Sequence, residues 1–157
     1  MTREEKFMQE AIALSTRSIE HNEGGPFGCV IVKDDKIVGR GNNKVTSLND
    51  PTAHAEVVAI RDACKNLNTF QLDDCEIYTS CEPCPMCLGA IYWSRPKVIY
   101  YANTRKDAAD IGFDDSMIYE EMNKDLDERK IPMLNIGRSG AIKVFGDWKN
   151  KEDKTEY

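Results

Sequence analysis

One histidine and two cysteines set the strongest constraint on how this chain can fold. His54-Ala55-Glu56 precedes Pro83-Cys84-Pro85-Met86-Cys87 by thirty positions, counted from His54 to Cys84. One imidazole and two thiolates suit a tetrahedral zinc ion whose fourth position is left to water. To share one ion, two segments distant in sequence must end at one point in space. Each segment opens a predicted helix, so two helix N-termini face that point. Their partial positive charge favours thiolates there. Cys84 and Cys87, three residues apart, share a helix face. His54 and Glu56 are two apart, about 200° around an ideal helix. They converge only if the site lies over the helix end.

The rest of the chain reads as one domain spanning residues 1–157. Hydrophobic residues make up 41% of it, enough for a core. A first helix is expected over about residues 3–21, where Phe7, Ala11, Leu14 and Ser18 form one stripe. Gly24-Gly25-Pro26 breaks the chain. Cys29–Val32 and Ile37–Gly39 read as two strands of a hairpin around Asp34-Asp35. A second helix is expected from Asp50-Pro51-Thr52, with Asp50 as N-cap and Pro51 in the first helical position. Glu76–Ser80 reads as a strand, Cys84–Trp93 as a helix, and Val98–Tyr101 as a buried strand. Asp115–Met122 reads as helix, Ile131–Ile136 as a last strand, and residues 141–152 as a final helix. Strands alternating with helices predict a mixed α/β sheet covered on both faces. Trp93 is expected in the core.

Six cysteines would suggest a disulfide framework in a secreted chain. The opening residues read as neither an apolar leader nor a membrane-spanning stretch, so the chain is expected in the cytoplasm, where thiols stay reduced. Clustered cysteines there read as metal ligands or catalysts. Cys81 keeps a second reading open: with Cys84, Cys87 and His54 it could close a structural zinc site without water. Pro83 separates it from the helix, which favours Cys84 and Cys87. The net charge of −6, from 21 basic and 27 acidic residues, argues against a nucleic acid partner.

The zinc motifs match the zinc-deaminase signature, in which a glutamate beside the histidine shuttles protons. Gly24-Gly25-Pro26-Phe27-Gly28, Asn42-Asn43, Asp50–Glu56, Tyr78–Cys87 and Gly112-Phe113-Asp114-Asp115 extend the likeness over nearly the whole chain. The sequence resembles the cytidine-deaminase-like superfamily, and within it the small zinc-dependent guanine deaminases. That resemblance implies a three-layer α/β/α sandwich with a five-stranded mixed sheet. It implies one zinc per chain on His54, Cys84 and Cys87, with Glu56 as proton shuttle, and hydrolysis of guanine to xanthine and ammonia. It further implies Phe27 stacking on the purine, Asn43 bonding its edge, and Asp115 near the leaving amine, a role open to Asp114 as well. Tyr157 would close the pocket, in a homodimer whose segment of about residues 140–157 passes between subunits.

Each of these residues also has a plainer reading. Phe27 could be core, Asn42-Asn43 a strand end, Asp114 or Asp115 a helix cap, and Tyr157 a frayed terminus. Other activities fit the zinc motifs too: a tRNA adenosine deaminase, a cytosine deaminase, or a non-enzymatic zinc-stabilised binding module.

Overall fold

A computed structural model describes residues 1–157, which form two compact units, Met1–Asp115 and Ser116–Tyr157. The first unit opens with helix α1 (Arg3–Glu20), which carries a Thr2/Glu5 capping box. Strands β1 (Gly28–Lys33) and β2 (Lys36–Asn42) follow. Between them Asp34 and Asp35 both have positive φ, the conformation that a two-residue hairpin turn requires. A short helix α2 (Val45–Leu48) leads to α3 (Ala55–Leu67), β3 (Glu76–Cys81), α4 (Pro85–Ser94), β4 (Val98–Asn103) and α5 (Arg105–Asp110).

The sheet has the order β2-β1-β3-β4. β1 runs antiparallel to both β2 and β3, while β4 runs parallel to β3. β1 is buried on both faces, so its alternate side chains feed two cores. Cys29 and Ile31 join Ile77 against Ala55, Ala59, Ala63 and Ile91 of α3 and α4. Val30 and Val32 join Tyr78 against Ala11, with Phe7, Met8 and Leu14 of α1 closing that layer. Helices thus cover both faces, as the alternation of elements predicts.

Close approach of α3 to the sheet depends on Gly41. A Cβ there would lie 2.1 Å from the carbonyl oxygen of Ala55. This contact fixes the height of the α3 N-terminus above the sheet, and with it His54 and Glu56.

Several expectations are corrected. The second helix does not begin at Asp50-Pro51. The Asp50 carboxylate accepts from the Thr52 amide (2.8 Å) and hydroxyl (2.7 Å), closing a local turn, and α3 starts only after His54. β4 lies at the edge of the sheet and is not buried; Tyr101 is exposed. Trp93, expected in the core, is also exposed. Thr104 and Asp107 form a capping box that marks the start of α5, a helix too short for apolar periodicity to predict.

The second unit contains α6 (Ser116–Met122) and α7 (Arg138–Asn150). Residues 131–136 are not a strand, so the sheet has four strands and not five. Pro132 removes one ladder donor from that segment, and Ile131 and Ile136 are exposed at 81% and 89%. No residue of this unit is buried. No helix of the structure is long and apolar enough to cross a membrane.

Candidate active site

The two metal-binding motifs fold alike. His54 is the N-cap of α3 and Cys84 the N-cap of α4, each with extended backbone (ψ 156° and 168°). Neither side chain caps its own helix. Each is thereby free to point beyond the helix end. Pro85 in the first turn of α4 needs no hydrogen-bond partner there, and Cys87 comes up one turn later on the same face. Because His54 precedes the first helical residue, the 200° separation expected on a helix does not apply. His54 and Glu56 converge over the helix end.

Nδ1 of His54 lies 3.6 Å from Sγ of Cys84 and 3.5 Å from Sγ of Cys87. All three donor atoms fall within 4.8 Å of one another. A tetrahedral zinc with bonds of about 2.3 Å to sulfur and 2.0–2.1 Å to nitrogen sets nitrogen and sulfur about 3.6 Å apart. The donor set therefore fits zinc. Cys81 does not join it: its Sγ faces the carbonyl oxygen of Thr104 at 3.6 Å. Three protein ligands leave a position open, and the closed four-ligand site is not formed.

Electrostatics agree with a metal-binding dithiol. Hydrogen bonding from Cys87, reinforced by His54, holds the Cys84 thiol down to about 4. The adjoining Cys84 thiolate in turn pushes the Cys87 thiol up, and burial adds to it. Hydrogen bonding to Cys84 raises His54. As ligands the two thiols would be thiolates and the imidazole neutral, so a bound metal ion would take the place of these shared protons.

Glu56 sits in the first turn of α3, only 6% exposed, and burial raises its carboxyl above the ordinary range. Its Oε2 lies 3.3 Å from Sγ of Cys87, and its Oε1 accepts from the Thr79 hydroxyl at 3.1 Å. A buried carboxylate touching the donor set is placed to exchange a proton with a molecule at the open position.

The remaining expected residues fall in three places. Asn43 is buried just beyond β2, its amide donating to the carbonyl oxygen of Phe27 at 3.0 Å. Its side-chain oxygen accepts from the Val45 amide at 3.1 Å, which leaves the amino group turned away from that contact. Gly24 is needed beside it, because a Cβ there would lie 2.1 Å from Oδ1 of Asn43. Phe27 is half-buried against the α3 core, and the edge-to-face ring of Phe113 packs on it with centroids 5.0 Å apart. Asp115 lies close enough to Cys84 to feel its charge. Burial first, then that thiolate, raises its carboxyl. Tyr157 belongs to the second unit and is exposed.

Thr79, Gly24 and Phe113 carry no assigned role in the sequence reading. Thr79 was within reach of it: residues 77, 79 and 81 share one face of β3, so a hydroxyl stands among apolar neighbours on the side facing α3.

Residues 1–103 match the cytidine and deoxycytidylate deaminase zinc-binding region. Guanine deaminase of Bacillus subtilis is 54% identical over 153 residues, covering 98% of each chain, and its crystal structure superposes with a TM-score of 0.95. A tRNA-specific adenosine deaminase of Aquifex aeolicus is 45% identical over 103 residues, 65% of this chain and 68% of that one. Guanine deaminase from Nitrosomonas europaea is 33% identical with a TM-score of 0.66, covering 69% of this chain and 63% of that one. With the matched region spanning α1 through β4 and its zinc donor set assembled, the chain belongs to the cytidine and deoxycytidylate deaminase zinc-binding family.

Proposed function

We infer that this chain is a zinc-dependent guanine deaminase, converting guanine and water to xanthine and ammonia. The observation that carries the reading is the extent of the likeness. The match to a guanine deaminase runs on through α6 and α7, whereas the match to the tRNA enzyme covers about two thirds of the chain. A net charge of −6 also suits a small base better than a polyanion.

His54, Cys84 and Cys87 would hold the ion, which when bound would act as a Lewis acid and lower the pKa of water there to about 7. Glu56 takes one proton from the attacking water and passes it to a ring nitrogen, then takes the second proton from the oxygen now bonded to C2 and passes it to the departing amine. Its raised affinity for protons, caused by burial, suits a group that must both accept and release. The amine leaves from C2, so the purine edge must be held in one orientation. Asn43 donates from its free amino group to an acceptor on that edge, and Asp115 accepts from the leaving amine. Phe27, buttressed by Phe113, offers the ring on which the purine stacks.

Tyr157 closes the pocket in a homodimer, its segment of about residues 140–157 passing to the partner's site. Support comes from the exposed apolar side chains of the second unit, Phe145 and Trp148 among them, which a second copy would cover. The cytoplasm suits this protein, since its ligand thiols must stay reduced.

Ammonia release is the direct test, measured over guanine, adenine, cytosine, their nucleosides and a tRNA anticodon stem-loop. Guanine is expected to be the preferred substrate. Faster release from adenosine in the stem-loop would replace this reading with tRNA deamination. Zinc uptake without ammonia from any substrate would reduce the chain to a binding module.

A further inference from the structure

Five polar side chains besides Asn43 and Glu56 are buried in the first unit: Ser18, Asn42, Thr79, Ser80 and Ser94. Four of them serve the backbone or a neighbouring loop. Ser18 donates to the Asn43 carbonyl oxygen, Ser80 accepts from the Gly28 amide, and Ser94 donates to the Ile91 carbonyl oxygen. Asn42 donates to Glu23. Thr79 differs, because one of its partners is the carboxylate beside the metal donors. Its Oγ1 lies 3.1 Å from Oε1 of Glu56 and also 3.1 Å from the carbonyl oxygen of Cys81.

We propose that Thr79 is a positioning residue that donates to Oε1 of the Glu56 carboxylate and so keeps Oε2 turned toward the metal donors. This rests on the deaminase reading above. A hydroxyl has one proton to give and two lone pairs to offer. When Glu56 is a carboxylate, Thr79 donates to Oε1. The Cys81 carbonyl, fixed in β3, is the competing neutral acceptor, and the charged carboxylate is the stronger of the two.

The other carboxylate oxygen has no such constant partner. Oε2 faces Cys87, whose thiol can donate only while it keeps its proton. As a metal ligand Cys87 is a thiolate and donates nothing. Oε2 is then the oxygen released to the reacting water, and the Thr79 bond is the one that persists. In the transfer, an O–H bond of the attacking water breaks and its electron pair stays on the oxygen that bonds to C2. The proton forms a new bond to Oε2. It leaves Oε2 again for the ring nitrogen or the amine, restoring the carboxylate.

The test compares Thr79→Val, which keeps the shape and removes the hydroxyl, with Thr79→Ser, which keeps the hydroxyl and removes a methyl. Outer partners of metal-site groups commonly contribute about 10–100-fold. Thr79→Val is expected to lose kcat on guanine by about that factor, with KM and zinc content unchanged, and Thr79→Ser to recover most of it. Crystal structures of both variants, each with zinc removed, give a readout apart from activity. The Glu56 carboxylate should shift or split into two positions in Thr79→Val and stay in place in Thr79→Ser.

The proposal is overturned if Thr79→Val keeps kcat within about twofold, read against that same range. It is equally overturned if Glu56 does not move in Thr79→Val, or if Thr79→Ser is as slow as Thr79→Val, which would make the methyl the important part. Loss of zinc or of folding in Thr79→Val with full activity in Thr79→Ser still supports the hydroxyl, and the same outcome with an inactive Thr79→Ser refutes it. Wild-type protein runs beside both variants. A wild type inactive on guanine overturns the guanine reading, while an active one with an unaffected Thr79→Val overturns only the role of Thr79.

Discussion

Met1–Asp115 and Ser116–Tyr157 both carry apolar side chains and treat them in opposite ways. In the first unit Val30, Ile31, Ile77 and Tyr78 lose all contact with solvent, and two cores form on the two faces of one sheet. In the second, Ile131, Leu134, Ile136 and Phe145 are largely exposed and nothing is buried. The first unit has the burial that raises Glu56 and holds a three-donor set in register. The second has helices but no core. Apolar surface of that extent is costly to leave in water, which is why we read it as surface awaiting a second copy. On the proposed dimer reading, metal binding and proton transfer depend on the first unit alone, and closure of the pocket on the second unit of a partner chain.

The sharpest way to break that division is to remove a donor. Cys87→Ala is expected to lose zinc and all measurable turnover. Cys81→Ala should keep both, because its thiol faces Thr104 instead of the donor set. Metal analysis of the two purified variants decides it. Glu56→Gln comes next in size. It should retain zinc and fold while kcat falls by about 10²–10⁴-fold, the usual contribution of a general acid–base group. Turnover near that of wild type would remove Glu56 from the reaction.

The same division governs what the sequence could disclose. The donor set was legible because ligand chemistry fixes residue types and spacing within short segments, and those survive any fold that brings two helix ends together. Its geometry was only half legible. The expected helix start at Asp50 was wrong because a local turn on Thr52 outcompeted the cap. That error hid the fact that His54 is itself an N-cap. Gly24 and Gly41 were opaque for another reason. What they accommodate, the Asn43 side chain and the Ala55 carbonyl, arrives from elsewhere in the chain. In the second unit an apolar run at 131–136 looked like a strand, but a strand needs a neighbour, and hydrophobicity alone does not supply one.

Asn43 offers a smaller but more selective test of the first unit. Loss of a buried hydrogen bond to substrate costs about 1–3 kcal/mol, or roughly 5–150-fold in kcat/KM. Asn43→Ala should show that loss for guanine with zinc content unchanged. Gly24→Ala should reproduce part of it without touching Asn43 chemically, since the added methyl overlaps the position of Oδ1. Steady-state kinetics on both variants, with circular dichroism to confirm folding, separate this from general damage. An Asn43→Ala variant with unaltered kcat/KM would leave Asn43 as a strand-end residue.

The smallest signal comes from the second unit and tests whether one chain completes another. Deleting Tyr157 is expected to impair guanine turnover with zinc and folding intact. Unchanged turnover would return the tail to a frayed terminus. The exchange between subunits needs a mixing experiment, because a deletion cannot say whose site Tyr157 serves. Glu56→Ala chains and chains lacking Tyr157 are purified and assayed separately for residual turnover, then combined under conditions that let subunits re-pair. Suppose each tail serves the partner. In a mixed dimer the site on the chain lacking Tyr157 has an intact Glu56 and receives an intact tail from the other chain, so it works. The second site has neither. Half of all randomly paired dimers are mixed and each has one working site of two, so about a quarter of wild-type activity returns. If instead each tail folds back on its own chain, every site keeps its own defect. No activity beyond those residual rates returns at any mixing ratio, and the second unit must then be completed within a single chain.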